Sequence, residues 1–88
     1  MIKDQHIIEI FKTTNQIEKV VYLDNKSSLT VWNIAWGYDI GDEFAHITTN
    51  ISPEIKNSDI DFFYTNEIQN IEDRTNGKTL YDREKNGL

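Results

Sequence analysis

The stretch from Leu29 to Asn50 constrains the fold more than any other part of this chain. It carries both tryptophans, two of the four glycines and a cluster of acidic residues. Residues 29–36 divide by parity into two rows of side chains, and both rows are largely apolar. That pattern is typical of a central strand that is covered on both sides. We therefore expect one strand here, with Trp32 and at least one of Ile34 and Trp36 well buried.

Short apolar runs separated by turn residues continue on either side of this stretch. Their alternation and their β-branched and aromatic side chains predict further strands, over residues 6–13, 17–23, 43–49, 59–64, 68–74 and 78–82. Residues 6–13 also fit a helix through Ile7, Ile10 and Phe11, but the turn residues that follow favour a strand. The Asn76-Gly77 pair between the last two runs is a strong hairpin signal.

This succession of strands and turns predicts an all-β fold. We expect a small antiparallel meander of six or seven short strands, curled into a barrel or packed as a sandwich. An α+β fold with one short terminal helix is the alternative. Eighty-eight residues make a single domain, 1–88, with a tail that should fray from about residue 83. Ile71, Leu80 and Tyr81 are the expected inward residues of the last hairpin.

Charge and composition exclude several classes of protein. Fifteen acidic against nine basic side chains give a formal net charge of −6, whereas nucleic-acid binding depends on lysine and arginine. No apolar run approaches the roughly 20 residues of a membrane span. Asp4 and Glu9 interrupt the N-terminus where a signal peptide would be apolar. The absence of cysteine excludes disulfides and thiolate metal sites. We expect a cytoplasmic protein without direct contact to nucleic acid or membrane.

The loop between Gly37 and Gly41 is the best candidate for chemistry, and both glycines are expected to adopt a positive φ. Carboxylates next to a histidine could bind a divalent metal or transfer protons, and this region holds Tyr38, Asp39, Asp42, Glu43 and His46. However, the spacing matches no calcium loop, and a solvated turn is the more ordinary outcome. No nucleophile motif or phosphate-binding glycine pattern occurs. The sequence therefore predicts no catalytic residue, no metal site and no cofactor.

Alternation is clearest over residues 59–64. The pattern predicts that Ile60, Phe62 and Tyr64 point into the core. The opposite row then forms an outer face with two carboxylates and one ring. An exposed ring among carboxylates can anchor an interface that selects a basic partner. We therefore predict a partner-binding surface that consists of Asp59, Asp61, Phe63, Tyr38, Asp39, Asp42 and Glu43.

These features favour a small acidic protein-binding module. The leading hypothesis is an inhibitor or immunity protein that neutralises a basic enzyme such as a nuclease toxin, because such proteins are compact, acidic and free of catalytic residues. Two alternatives stay open, namely a nucleic-acid mimic that antagonises a DNA-binding protein and a small ligand-binding protein that uses the Gly37–Gly41 loop. Acidity that serves only solubility is a further alternative.

Overall fold

Seven short strands pair into antiparallel sheets in a computed structural model of the chain, which describes residues 4–51 and 60–86. In chain order the helices and strands are α1 (Gln5–Thr13), β1 (Lys19–Leu23), β2 (Ser28–Val31), β3 (Ile34–Gly37), β4 (His46–Thr49), β5 (Phe62–Tyr64), β6 (Ile68–Asp73), β7 (Thr79–Asp82) and α2 (Arg83–Asn86). A 3₁₀ turn, Thr65–Glu67, joins β5 to β6. The prediction of six or seven short antiparallel strands is confirmed.

The strands divide into two separate sheets. A four-stranded sheet has the order β2-β1-β6-β7, and a three-stranded sheet has the order β3-β4-β5. Neighbouring strands are antiparallel throughout both sheets. Within residues 4–51 and 60–86 no strand pairing links the two sheets, so they do not close into a barrel.

One hydrophobic cluster joins α1 to the inner faces of both sheets. Its buried members are Ile7, Ile8, Phe11, Val21, Val31, Ala45, Ile47, Phe63, Ile68, Ile71 and Tyr81. Each large apolar side chain buried in this way contributes about 1.5–3 kcal/mol, and a domain of this size depends on all of them. Each sheet consequently has an inner face against the common core and an outer face directed away from it.

Residues 5–13 form helix α1 and not the predicted strand. Ile7, Ile8 and Phe11 are buried on one side of it, and their spacing matches the turn of an α-helix. The β-branched residues favour a strand locally, but burial of this one side in the common core outweighs that preference. The strand prediction is therefore wrong here, and the helical spacing through Ile7 and Phe11 was the better guide.

The predicted strand over residues 29–36 is interrupted where the chain passes from one sheet to the other. The first half becomes β2 in the four-stranded sheet, and the second half becomes β3 in the three-stranded sheet. The side-chain oxygen of Asn50 accepts the N–H of Trp32 at 2.8 Å and holds the chain at the break. As a result Trp32 and Ile34 are only half-buried and Trp36 is 43% exposed, so the expected burial is wrong.

Strand β5 has its two faces reversed relative to the prediction. Phe63 points into the core and is 3% exposed, whereas Phe62 is 61% exposed. Ile60 and Tyr64, which were also expected to point inward, are exposed. The alternation is correct but its direction is not, because β5 pairs with β4 so that Phe63 lies opposite the buried Ile47.

The glycine turns are largely as predicted. Gly77 has a φ of +72° beside Asn76 in the β6–β7 hairpin, and Gly41 has a φ of +87°. Both values lie in the left-handed region that favours glycine. Gly37 does not adopt a positive φ, so that expectation is wrong.

The described C-terminal residues form strand β7 and the short helix α2. Ile71 and Tyr81 of the last hairpin are buried as predicted, and Leu80 is half-buried against the core. Residues 83–86 form α2, and Arg83 makes an ion pair with Asp24. Residues 87 and 88 lie outside the described part. No helix within the described ranges is long and apolar enough to cross a membrane.

Candidate functional site

Alternate residues of β4 and β5 build the outer face of the three-stranded sheet. In β4, Ile47 is fully buried, whereas its neighbours His46 and Thr48 point outward and are partly exposed. The pairing places Tyr64 opposite His46 and Phe62 opposite Thr48, so both rings of β5 join the outward row. We call the rings of His46, Phe62 and Tyr64 the aromatic face.

The three rings of the aromatic face contact one another. His46 and Phe62 are stacked, with 5.9 Å between ring centroids and 21° between planes. Tyr64 meets both edge-on, at 6.3 Å from His46 and 5.7 Å from Phe62. Offset-stacked and edge-to-face pairs are the preferred aromatic arrangements and are worth about 0.5–1.5 kcal/mol each. The rings therefore form one contiguous exposed patch.

The imidazole of His46 has a defined position between two neighbours. Gly37 lies directly opposite His46 on β3, and a Cβ atom there would come within 3.2 Å of Nε2. The Nδ1 atom lies 4.0 Å from a carboxylate oxygen of Asp39. A side chain at position 37 would therefore crowd the ring of His46, whereas the backbone there does not require glycine.

An acidic groove adjoins the aromatic face at Tyr64. It has a volume of about 490 Å³ and is lined by Asp42, Glu43, Phe44, Tyr64, Asn66 and Glu67. The carboxylate of Glu67 accepts the backbone N–H of Tyr64 at 2.7 Å, which holds one negative charge beside that residue. Asp42 and Glu43, two of the predicted site residues, therefore lie next to an exposed ring, although not the ring that was predicted.

The turn between Gly37 and Gly41 positions the remaining carboxylates. The N–H of Asp42 donates to the carbonyl of Asp39 at 3.0 Å, and the N–H of Asp39 donates to the side chain of Asp42 at 3.3 Å. Aspartates commonly close turns in this way. Asp39 consequently stands beside His46 and Asp42 stands in the acidic groove, so both lie at the rim of the aromatic face.

Tyr38 does not belong to the aromatic face: its ring packs edge-on against Trp36, and its hydroxyl reaches a buried carboxylate. Its hydroxyl donates to Asp4, which is fully buried and also accepts the N–H of Ala45 at 2.7 Å and the hydroxyl of Thr65. Burial and the adjacent Asp4 carboxylate raise the pKa of Tyr38 to about 12. Tyr38 therefore connects the chain before α1 to the three-stranded sheet.

Of the three remaining predicted site residues, one is buried, one is exposed and one lies outside the described residues. Phe63 is buried, so its ring is not accessible to a partner. Asp61 is exposed and immediately precedes Phe62, and its backbone N–H and carbonyl each bond to Thr49 at 2.9 Å. Asp59 lies outside the described residues. Of the two described members of this group, Asp61 is the one that borders the aromatic face.

Neither the aromatic face nor the buried carboxylate of Asp4 was predicted from the sequence. Phe62 and Tyr64 were assigned to the core because they alternate in phase with Ile60. The opposite row of this strand contains Phe63, and that row was an equally good candidate for the core side. The sequence feature that could have identified Asp4 is its position directly before α1, where acidic residues are favoured. Its backbone carbonyl accepts the first N–H groups of that helix.

No group of three or more His, Asp and Glu side chains is arranged to hold a metal ion within residues 4–51 and 60–86. Comparisons of the chain with protein-family models, with curated proteins and with solved structures found no match. The function therefore has to follow from the chemistry of the aromatic face and the acidic groove.

Proposed function

We propose that this protein is a binding module for a basic protein, with the aromatic face and the acidic groove as its contact surface. The observation that carries the proposal is a cluster of three contacting rings on the outer face of a sheet, in which Phe62 and Tyr64 are exposed and His46 is partly exposed. In a chain this small, large apolar side chains stabilise most when they are buried in the core. Contiguous exposed apolar patches are typical of interaction sites.

Charge at the rim of the rings supports a basic partner. Asp39 lies beside His46, and Asp42 and Glu67 line the groove beside Tyr64. The whole chain adds a formal net charge of −6. A surface of this sign attracts and steers a basic partner, and it disfavours phosphate-rich ligands such as nucleic acid.

An inhibitor or immunity protein that neutralises a basic enzyme, such as a nuclease toxin, would act through such a surface. It needs no catalytic group, because covering the basic substrate site of the enzyme is sufficient. The rings would provide most of the affinity, and the surrounding carboxylates would accelerate association. A nuclease-like enzyme is the partner class that we propose, and the cytoplasm is the compartment.

Two matched variants test the contact surface. Phe62→Ser removes an apolar side chain from the outer face of the three-stranded sheet, and Val20→Ser does so on the outer face of the four-stranded sheet. A protein retained on the immobilised wild type would be identified and purified. Calorimetry at low and high salt would then measure its Kd for the wild type and for each variant. We expect a basic protein whose Kd rises at least about 30-fold for Phe62→Ser and less than about twofold for Val20→Ser.

Three outcomes would contradict this proposal. Equal weakening by Phe62→Ser and Val20→Ser would remove the aromatic face from the contact. Retention of an acidic protein, with affinity independent of salt, would contradict the charge argument. Competition with duplex DNA for many unrelated basic proteins would instead indicate a nucleic-acid mimic.

A further inference from the structure

We infer that the anchoring side chain of the partner is an arginine that stacks on the ring of Tyr64 and pairs with the carboxylate of Glu67. The inference rests on the proposed function and assigns the chemistry of its central contact. It follows from the position of Tyr64, which belongs to the aromatic face and also lines the acidic groove.

The ring of Tyr64 is held in place before any partner binds. His46 and Phe62 meet this ring at interplanar angles of 79° and 87°, and Tyr64 is 36% exposed. These two ring contacts restrict rotation of the Tyr64 ring, and part of the residue stays open to solvent. A contact surface that is already ordered loses little conformational entropy on binding.

Glu67 places a negative charge in the groove that Tyr64 also lines. Its carboxylate accepts the backbone N–H of Tyr64 at 2.7 Å, so its position is fixed relative to the backbone of that residue. An ionised carboxylate has about four acceptor positions, so this bond leaves room for further donors. Asp42 lines the same groove and adds to the negative potential there.

A fixed carboxylate next to an exposed ring distinguishes arginine from lysine. The guanidinium group is planar, so it can lie on an aromatic ring and direct two parallel N–H groups at a carboxylate. The ammonium group of lysine is a compact and strongly hydrated charge, and it gains less from the ring. Negative charge alone would attract both side chains equally, whereas the combination at Tyr64 and Glu67 favours arginine.

Two peptides of equal charge, acetylated and amidated Gly-Arg-Arg-Gly and Gly-Lys-Lys-Gly, provide the test. Each would be titrated into isotope-labelled protein and followed through the amide NMR shifts. We expect the arginine peptide to bind about three- to fivefold more tightly and to shift the amides of Tyr64 and Glu67. Glu67→Gln keeps an oxygen for the Tyr64 N–H but removes the charge, and it should reduce the preference to about one.

Control variants separate this site from general electrostatics. Glu72→Gln makes the same charge change on the outer face of the four-stranded sheet and should leave the preference unaltered. Tyr64→Leu should abolish the preference while the circular dichroism spectrum shows an intact fold. Loss of the preference in Glu72→Gln, or its survival in either Glu67→Gln or Tyr64→Leu, would overturn the arginine site.

The two proposals fail in different ways in this experiment. Equal affinity of both peptides, with shifts confined to the aromatic face, would overturn the preference for arginine and leave the basic-protein proposal intact. If neither peptide shifted the aromatic face, the arginine site and the contact surface of the proposed function would both be wrong.

Discussion

The outer faces of the two sheets differ in kind, although both sheets cover the same core. On the four-stranded sheet the outward residues are mainly polar, namely Val20, Tyr22, Ser28, Thr30, Asn70, Glu72 and Asp82. On the three-stranded sheet, the outward positions of β4 and β5 carry the aromatic face. An antiparallel sheet with one solvated side normally has the first pattern and not the second.

Two tyrosine–glutamate pairs show this difference in detail. On the four-stranded sheet the hydroxyl of Tyr22 bonds to Glu72, and this hydrogen bond, together with burial and the carboxylate charge, raises the pKa of Tyr22. On the three-stranded sheet Glu67 bonds to the backbone of Tyr64, and the phenol ring packs against other rings. In the first pair the tyrosine hydroxyl forms a hydrogen bond within the sheet, whereas in the second pair the tyrosine ring is partly exposed on the outer face.

The comparison indicates what folding requires and what it does not. The four-stranded sheet is covered by polar residues on its outer side, so an exposed aromatic cluster is not needed to keep a sheet of this protein folded. The aromatic face therefore has no counterpart among the described residues of the four-stranded sheet, and the proposed contact surface rests on this difference.

Adjacent phenylalanines of β5 provide the sharpest test of this argument. Phe63→Ala should lower the free energy of unfolding by about 3–5 kcal/mol, because it leaves a cavity in the common core. Phe62→Ala should lower it by no more than about 1–2 kcal/mol, since the two ring contacts that are lost are exposed to solvent. Urea denaturation of both variants measures the difference. Similar losses would show that the aromatic face stabilises the fold and would remove the main support for a binding surface.

The turns and the number of strands could be predicted because their determinants are local. The Asn76-Gly77 pair needs a positive φ that few other residues tolerate, so it marks its hairpin whatever surrounds it. The acidic loop behaves in the same way. Asp39, Asp42 and Glu43 were predicted as neighbours, and they remain neighbours because a short loop keeps its side chains together.

The direction of β5 and the break before β3 could not be predicted, because they depend on distant residues. Phe63 faces the core because β5 pairs with β4 opposite Ile47, a contact that local alternation does not reveal. The break at Trp32 is held by Asn50, which has a φ of +57° and lies 18 residues further along the chain. The aromatic face follows from both features, so the sequence alone could not locate it.

Removal of the Asp4 carboxylate should affect the two sheets unequally. Its hydrogen bonds reach Tyr38, Ala45 and Thr65, which all border strands of the three-stranded sheet. Asp4→Ala should cost about 1–3 kcal/mol, because it leaves a buried N–H without an acceptor. Amide hydrogen exchange should accelerate in β4 more than in β6.

A control on the same helix separates this effect from the loss of a charge. Glu9 is exposed on α1, and Glu9→Ala should change the free energy of unfolding by no more than about 0.5 kcal/mol. If Asp4→Ala accelerated exchange equally in both sheets, Asp4 would stabilise the fold as a whole and not the three-stranded sheet.

Lys19 is the corresponding buried charge under the four-stranded sheet. Its Nζ donates to the carbonyl of Ile17 at 2.8 Å and approaches those of Val31 and Trp32 at 3.4 Å. Burial lowers the pKa of Lys19 from 10.5 to about 8, and the negative charge of Asp73 opposes this shift. Desolvation thus outweighs the attraction of the nearby carboxylate.

The free energy of unfolding should therefore rise with pH between about 8 and 10.5, because the unfolded chain still binds the proton that folded Lys19 has released. One proton limits the slope to about 1.4 kcal/mol per pH unit. Lys19→Met has no titrating group at this position, whereas the tyrosines are the same in both proteins. The difference in the free energy of unfolding between wild type and variant therefore reports the titration of Lys19 alone. Urea denaturation of both proteins at several pH values below about 10, the ordinary pKa of tyrosine, measures that difference. A difference that stayed constant with pH would show that the Lys19 amine is not desolvated.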